Sequence, residues 1–117
     1  MDLEFSQRIE AEIERLRRRY TGCLREVPGA RLLPAHWTAS RRALRWHVVL
    51  EEDVLEPDID VEILPEAVVV RAWIEPAQTT LLSVLPVPAG FDVLHPRVHY
   101  EGDYLEILLD RIEAEER

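Results

Sequence analysis

The stretch VHYEGDYLEILLD, Val98 to Asp110, decides how the rest of the chain is read. Two readings compete for it: a small acid–base site built from its tyrosines and acids, or two strands joined by a turn. Alternation separates them. Val98 and Tyr100 alternate with Arg97 and His99, and Leu105, Ile107 and Leu109 alternate with Glu106, Leu108 and Asp110. A period of two sends successive side chains to opposite faces of a strand. Between the runs stands Glu101-Gly102-Asp103. Gly102 can take the positive φ that a tight connection needs, and the flanking acids stay in water. Two acids with no base identified opposite them are weak grounds for acid–base catalysis. The stretch reads as a β-hairpin.

Upstream of the hairpin the same period recurs. In LRWHVVLE, Leu44, Trp46, Val48 and Leu50 share a face. In DIDVEIL, Ile59, Val61 and Ile63 face one way, and Asp58, Asp60 and Glu62 face the other. AVVVRAW is apolar on both faces, as an inner strand should be, and TTLLSVLP sets Leu82 and Val84 opposite Leu81, Ser83 and Leu85. With HPRVHY and DYLEILLD this makes six strands, punctuated by Pro, Gly and acid clusters. No helical pattern separates them, so βαβ units are excluded and an antiparallel sandwich is expected.

The start of the chain is different. From Asp2 to about Glu26, Ile9, Ile13, Leu16, Tyr20 and Leu24 fall on one face of a helix that ends before Val27-Pro28-Gly29. Asp2 is placed to cap it, and Arg8 and Glu12 are attractive i,i+4 neighbours. The stripe is narrow and the opposite face is rich in arginine. Two packings are open: against its own domain, or exposed as a dimer seam. Residues 29–42 read as an irregular linker that pins Trp37 to the body.

Composition bounds the function. The 117 residues suit one domain, and 47% apolar content excludes a disordered chain. No apolar run approaches the roughly 20 residues that cross a bilayer, so no membrane partner is expected. The charged N-terminus, MDLEFSQRIE, does not resemble a secretion signal, and Cys23 is the lone cysteine, so a reducing cytoplasm is the expected compartment. The net charge of −9 is uneven: 10 arginines and 6 acids up to His47 give +4, and 4 arginines and 17 acids after it give −13. Such an acidic body would repel phosphates, which argues against nucleic acid as a partner.

Candidate chemistry is sparse. His95 and His99, four apart on an expected strand with Asp92 and Glu101 nearby, form the best metal pair, but no second ligand cluster accompanies them, and no bound metal is expected. His36 and His47 show no partners. Ser40 and Ser83 lack a GxSxG elbow, and glycines at 22, 29, 90 and 102 build no phosphate cradle. Trp37, Trp46 and Trp73 read as packing residues rather than a stacking platform. Neither a catalytic site nor a cofactor is expected.

The order of the strand motifs resembles the small heat-shock proteins of the α-crystallin family. HVVLEEDVLEPDIDVEILPEAVVVRAW, His47 to Trp73, resembles the family's opening block of strand, acidic loop and second strand. LLSVLPVPAGFDVLHPRVHYEGDYLEILL, Leu81 to Leu109, resembles its closing block: Leu85-Pro86 stands for the family's LP, Asp92-Val93 for its loop, and Gly102, Leu105 and Ile107 for its glycine–leucine–isoleucine signature. The likeness spans about Trp46 to Leu109, and CS-type co-chaperone domains share the fold. Departures accompany it. His99 stands where the family has alanine, Asp110 where it has proline, and Leu55-Glu56-Pro57 where it has proline-glycine. Only IEPAQ, Ile74 to Gln78, replaces the long loop that swaps between partners in bacterial members, and DRIEAEER lacks the family's I-x-I/V tail motif.

The resemblance implies an all-β, antiparallel, α-crystallin-like (immunoglobulin-like) β-sandwich with an N-terminal α-helix. Its expected divisions are helix and linker at 1–42, sandwich at 43–111 and a short polar tail at 112–117. It implies an ATP-independent holdase for partly unfolded proteins, with a CS-type adaptor for one specific partner as the alternative. Candidate binding residues are Ile59, Val61, Ile63 and Val98 on the sheets, and Ile9, Ile13, Leu16 and Tyr20 on the helix. A monomer or small dimer is expected.

Overall fold

The alternation becomes hydrogen-bonded register in the computed structural model, which describes residues 3–24, 31–50, 58–74 and 79–112. Helix α1 spans Leu3–Leu24; the strands are β1 (Arg31–Leu32), β2 (Ala35–Ala39), β3 (Ala43–Val49), β4 (Ile59–Leu64), β5 (Ala67–Ile74), β6 (Thr79–Pro86), β7 (Arg97–Tyr100) and β8 (Tyr104–Asp110). They form two four-stranded sheets, ordered β1-β6-β5-β4 and β2-β3-β8-β7. The six expected strands are all present. Asp2, the expected cap, and Cys23's side chain lie outside the described residues.

Residues 31–39 correct the linker expectation, because they enter both sheets as β1 and β2. β2 does alternate: Ala35, Trp37 and Ala39 pack against the core, while His36 and Thr38 face out. Two of its three inward residues are alanine, and Pro34 interrupts the run, so the apolar period is faint. The sandwich therefore begins at Arg31, not at Ala43. The β1–β6 pair is parallel, unlike every other ladder, and covers only Arg31↔Leu81 and Leu32↔Leu82.

Between β1 and β2 the chain crosses from one sheet to the other in two residues. The Leu33 amide donates to the Leu82 carbonyl in one sheet (2.9 Å), and the Pro34 carbonyl accepts from the Val49 amide in the other (2.9 Å). Leu33 itself is buried in the core. β1 and β2 are edge strands, so this short crossing puts those two edges on the same side of the sandwich. The other two edges, β4 and β7, then share the opposite side.

Leu44, Trp46, Val48, Val68, Val70, Leu81, Leu85, Leu105, Ile107 and Leu109 are buried between the sheets. Trp46 is the largest. Its indole Nε1–H donates to the Pro86 carbonyl of the facing sheet at 3.0 Å, which satisfies a polar atom that burial would otherwise penalise.

Helix α1 settles the open packing question. Ile9, Ile13 and Leu16 are buried, and Ile9 and Ile13 join the sandwich core together with Phe5. Tyr20 is half-buried. The helix packs against β6, whose outer edge β1 covers for only two residues. Arg19 pairs with Glu66 in the β4–β5 turn, and the Arg111 guanidinium sits 5.3 Å from the centre of the Phe5 ring. From Ile9 to Leu16 the stripe is thus taken up within the chain and is not an exposed seam, and the side chain of Leu24 lies outside the described residues. On the solvent side the pairs are Glu12–Arg15 (2.6 Å) and Glu14–Arg17 (2.9 Å), i,i+3 contacts that replace the expected Arg8–Glu12 pair.

Ile13 is 1% exposed, so Ile13→Ala should lower unfolding stability by about 2–5 kcal/mol in urea titration. A loss below about 0.5 kcal/mol would mean that the helix is not docked in solution.

Candidate apolar edge site

The side of the sandwich opposite the β1–β2 crossing has no covering element among the described residues. β4 and β7 each have a strand on one flank only. On β4, Ile59, Val61 and Ile63 oppose Ala72, Val70 and Val68, all buried inward-facing residues, so all three point between the sheets. On β7, Val98 opposes buried Ile107, and Tyr100 opposes buried Leu105. Ile59, Val61 and Tyr100 pack partly against the core. Ile63 and Val98 remain 41% and 46% exposed although they face inward, because no strand lies beyond them.

The four predicted sheet residues therefore gather on one side, beside two free strand edges. The helix residues lie elsewhere, against β6. Phe5 also belongs to the stripe, standing four residues before Ile9 at the same helical spacing as its other members. Tyr100 belongs with Val98 on the inward face of β7.

Charges rim the strip on the outward faces. Arg71 contacts Glu62 at 2.6 Å and Asp60 at 3.9 Å, Arg97 contacts Asp110 at 2.6 Å, and His99 pairs with Glu101. Paired charges beside a free edge keep it soluble and oppose edge-to-edge pairing of identical chains. An apolar strip between two unpaired strand edges can accept an extended polypeptide, whose backbone pairs with an edge while alternate side chains enter the gap.

Groups considered for chemistry are dispersed. His95 Nδ1 lies 3.0 Å from Asp92 Oδ2 in the loop before β7, whereas His99 is on β7 beside Glu101, so each histidine has its own carboxylate. No group of three His, Cys, Asp or Glu side chains suited to a metal occurs among the described residues. His47, expected to lack a partner, stacks on Tyr104 with ring centres 4.2 Å apart and an 18° interplanar angle. Trp37 and Trp46 are register partners on the inward face, and Trp73 belongs to the other sheet, so the three tryptophans form no common platform. The Glu12 carboxyl is held below its usual range by the hydrogen bond from Arg15, with partial burial acting in the opposite sense. No described helix is long and apolar enough to cross a membrane.

The architecture recurs in known structures. Heat shock protein 16.0 from Schizosaccharomyces pombe aligns with a TM-score of 0.64 at 14% identity, over 75% of this chain and 72% of that one. HSP18.5 from E. histolytica aligns at 0.61 and 10% identity, over 72% and 91%. A small heat-shock protein from Xylella fastidiosa, described as having a distinct high order structure, aligns at 0.63 and 11% identity, over 73% and 90%. Neither a protein-family model nor a curated protein matches on sequence. The fold of this chain is that of the small heat-shock proteins, an α-crystallin-like sandwich.

The hairpin that presents Val98 turns on Gly102, whose φ is 87°. The space around its missing Cβ is open, so a side chain there meets backbone strain rather than a clash. Gly102→Val should cost about 1 kcal/mol or more in denaturant unfolding. Asp103→Asn should stay within about 0.5 kcal/mol of the parent. Equal effects from the two changes would contradict the turn assignment.

Proposed function

We propose that this chain, with the sandwich fold of the small heat-shock proteins, is an ATP-independent holdase. Partly unfolded polypeptides bind along the β4–β7 side, through Ile59, Val61, Ile63 and Val98. The observation that carries this reading is the partial exposure of inward-facing Ile63 and Val98 at the side of the sandwich that neither the helix nor the β1–β2 crossing closes. Exposed apolar surface supplies the attraction, and the net charge of −9 keeps the loaded complex in solution. Binding of this kind needs no turnover, and no residue is assigned a catalytic role. The lone cysteine suits a reducing compartment such as the cytoplasm.

A second reading, an adaptor for one specific partner, draws on assembly. Ile74 and Thr79 are directly opposed in the β5–β6 ladder, so residues 75–78 join adjacent strands of one sheet. Four residues span at most about 14 Å, too little to supply a strand to another copy. The chain is accordingly a monomer or small dimer. Light scattering should give one or two multiples of 13.6 kDa; a shell of a dozen or more chains would refute this.

Aggregation assays test the holdase directly. The parent should suppress light scattering by several unrelated heated proteins. Ile63→Asp combined with Val98→Asp should lose most of that suppression while melting like the parent, because both side chains already meet solvent. Unchanged suppression would refute the site. Lack of suppression by the parent, together with tight binding to a single folded protein, would favour the adaptor.

A further inference from the structure

Arginines gather at one end of an otherwise acidic molecule. The β2–β3 turn brings Arg41 and Arg42 beside the end of β8, where the Arg111 amide donates to the Arg42 carbonyl at 2.8 Å. The turn is shaped by Ser40, whose hydroxyl oxygen accepts from the amides of Arg42 and Ala43 at 3.1 and 3.3 Å. Arg111 also bridges to Phe91 and lies over the Phe5 ring. A hollow of about 230 Å³ opens here between the first turns of α1 and the segment before β7. Its floor is apolar, with Phe5, Ile9, Pro88 and Phe91, and Arg8 and Arg111 stand at its walls. Through Arg111 it adjoins a second hollow lined by Arg41, Arg42 and Asp110.

The two carboxylates facing these hollows are already engaged. Glu12 is paired with Arg15, and Asp110 with Arg97, each at 2.6 Å. Among the described residues, Arg8, Arg42 and Arg111 have no carboxylate partner. Two of these guanidinium groups, Arg8 and Arg111, thus stand at the hollow with the greasy floor, and the third, Arg42, lines the hollow that adjoins it through Arg111.

We propose that this end of the sandwich docks an acidic polypeptide segment that carries a large apolar side chain beside its carboxylates. The apolar side chain enters the hollow over Phe5, Ile9 and Phe91, and the flanking carboxylates meet Arg8, Arg111 and Arg42. Guanidinium forks match carboxylates in planar, two-point geometry. A nucleic acid fits less well, because its continuous phosphates would lie against a body of net charge −9 and leave the apolar floor unfilled. A membrane surface fits less well, because the apolar residues are recessed and offer no protruding face for insertion. The site is separate from the β4–β7 strip and does not rest on the holdase reading.

Fluorescence anisotropy with labelled peptides EEFEE, EEAEE and KKFKK tests the proposal. EEFEE should bind despite the protein's overall negative charge, and more tightly than EEAEE. Raising the salt from about 0.01 to 0.15 M should weaken it. Arg8→Glu with Arg42→Glu should weaken EEFEE roughly tenfold or more, and Arg45→Glu, on a different surface, should leave it unchanged. If the charge reversals unfold the chain, Arg8→Gln with Arg42→Gln carries the same expectation of weakened binding. Three results would overturn the proposal: no binding of EEFEE, binding indifferent to the Arg8 and Arg42 changes, or displacement of EEFEE by a short oligonucleotide or by anionic phosphatidylserine vesicles more readily than by unlabelled peptide.

Discussion

The crossing at Leu33-Pro34 is the constraint on which the rest of the molecule depends. A chain that leaves one sheet and joins the other in two residues has no freedom over which edges meet. Leu33 donates its amide to β6 while its side chain enters the core, and Pro34 lends only a carbonyl, which the Val49 amide takes. Proline suits that position because the missing amide leaves no donor unsatisfied at the crossing. With β1 and β2 tied together, those two edges meet on one side of the sandwich, and β4 and β7 define the other.

Helix α1 completes the asymmetry. β1 shields β6 only at Leu81 and Leu82, and a longer exposed edge would invite pairing with other chains. The helix packs against β6 and inserts Phe5, Ile9 and Ile13 into the core. Burying apolar side chains of this size contributes about 1.5–3 kcal/mol each before entropy is counted. The Arg19–Glu66 pair on the rim is largely solvated and contributes little by comparison. Hydrophobic burial therefore holds the helix, and the same residues cannot serve as a free client surface while it is docked. The apolar strip that stays accessible is on the far side, set in an acidic surface that limits self-association.

Much of this was legible in the sequence, and the exceptions share a cause. Period-two runs mark β3, β4 and β6 to β8, a continuous apolar run marks β5, and Glu101-Gly102-Asp103 marks the hairpin, because each signal is local. β1 and β2 leave no clear pattern because one is two residues long and the other presents alanines inward. Alternation places Ile59, Val61, Ile63 and Val98 on apolar faces, but their uneven exposure follows from edge position, which alternation does not encode. The helix stripe was visible apart from Phe5, yet periodicity names a face without naming what covers it. Arg8, Arg42 and Arg111 are far apart in the chain, and only the fold brings them to one end.

Hydrogen exchange on the chain alone and in complex with a reduced, aggregation-prone client tests the central claim most directly. Amides at the free edges of β4 and β7 should slow on binding, while those of α1 and β6 keep the protection they have in the free chain. Protection that spares 59–64 and 97–100, together with faster exchange in α1, would contradict the account. It would mean that clients displace the helix and use the side of the sandwich that the Leu33-Pro34 crossing is held to close.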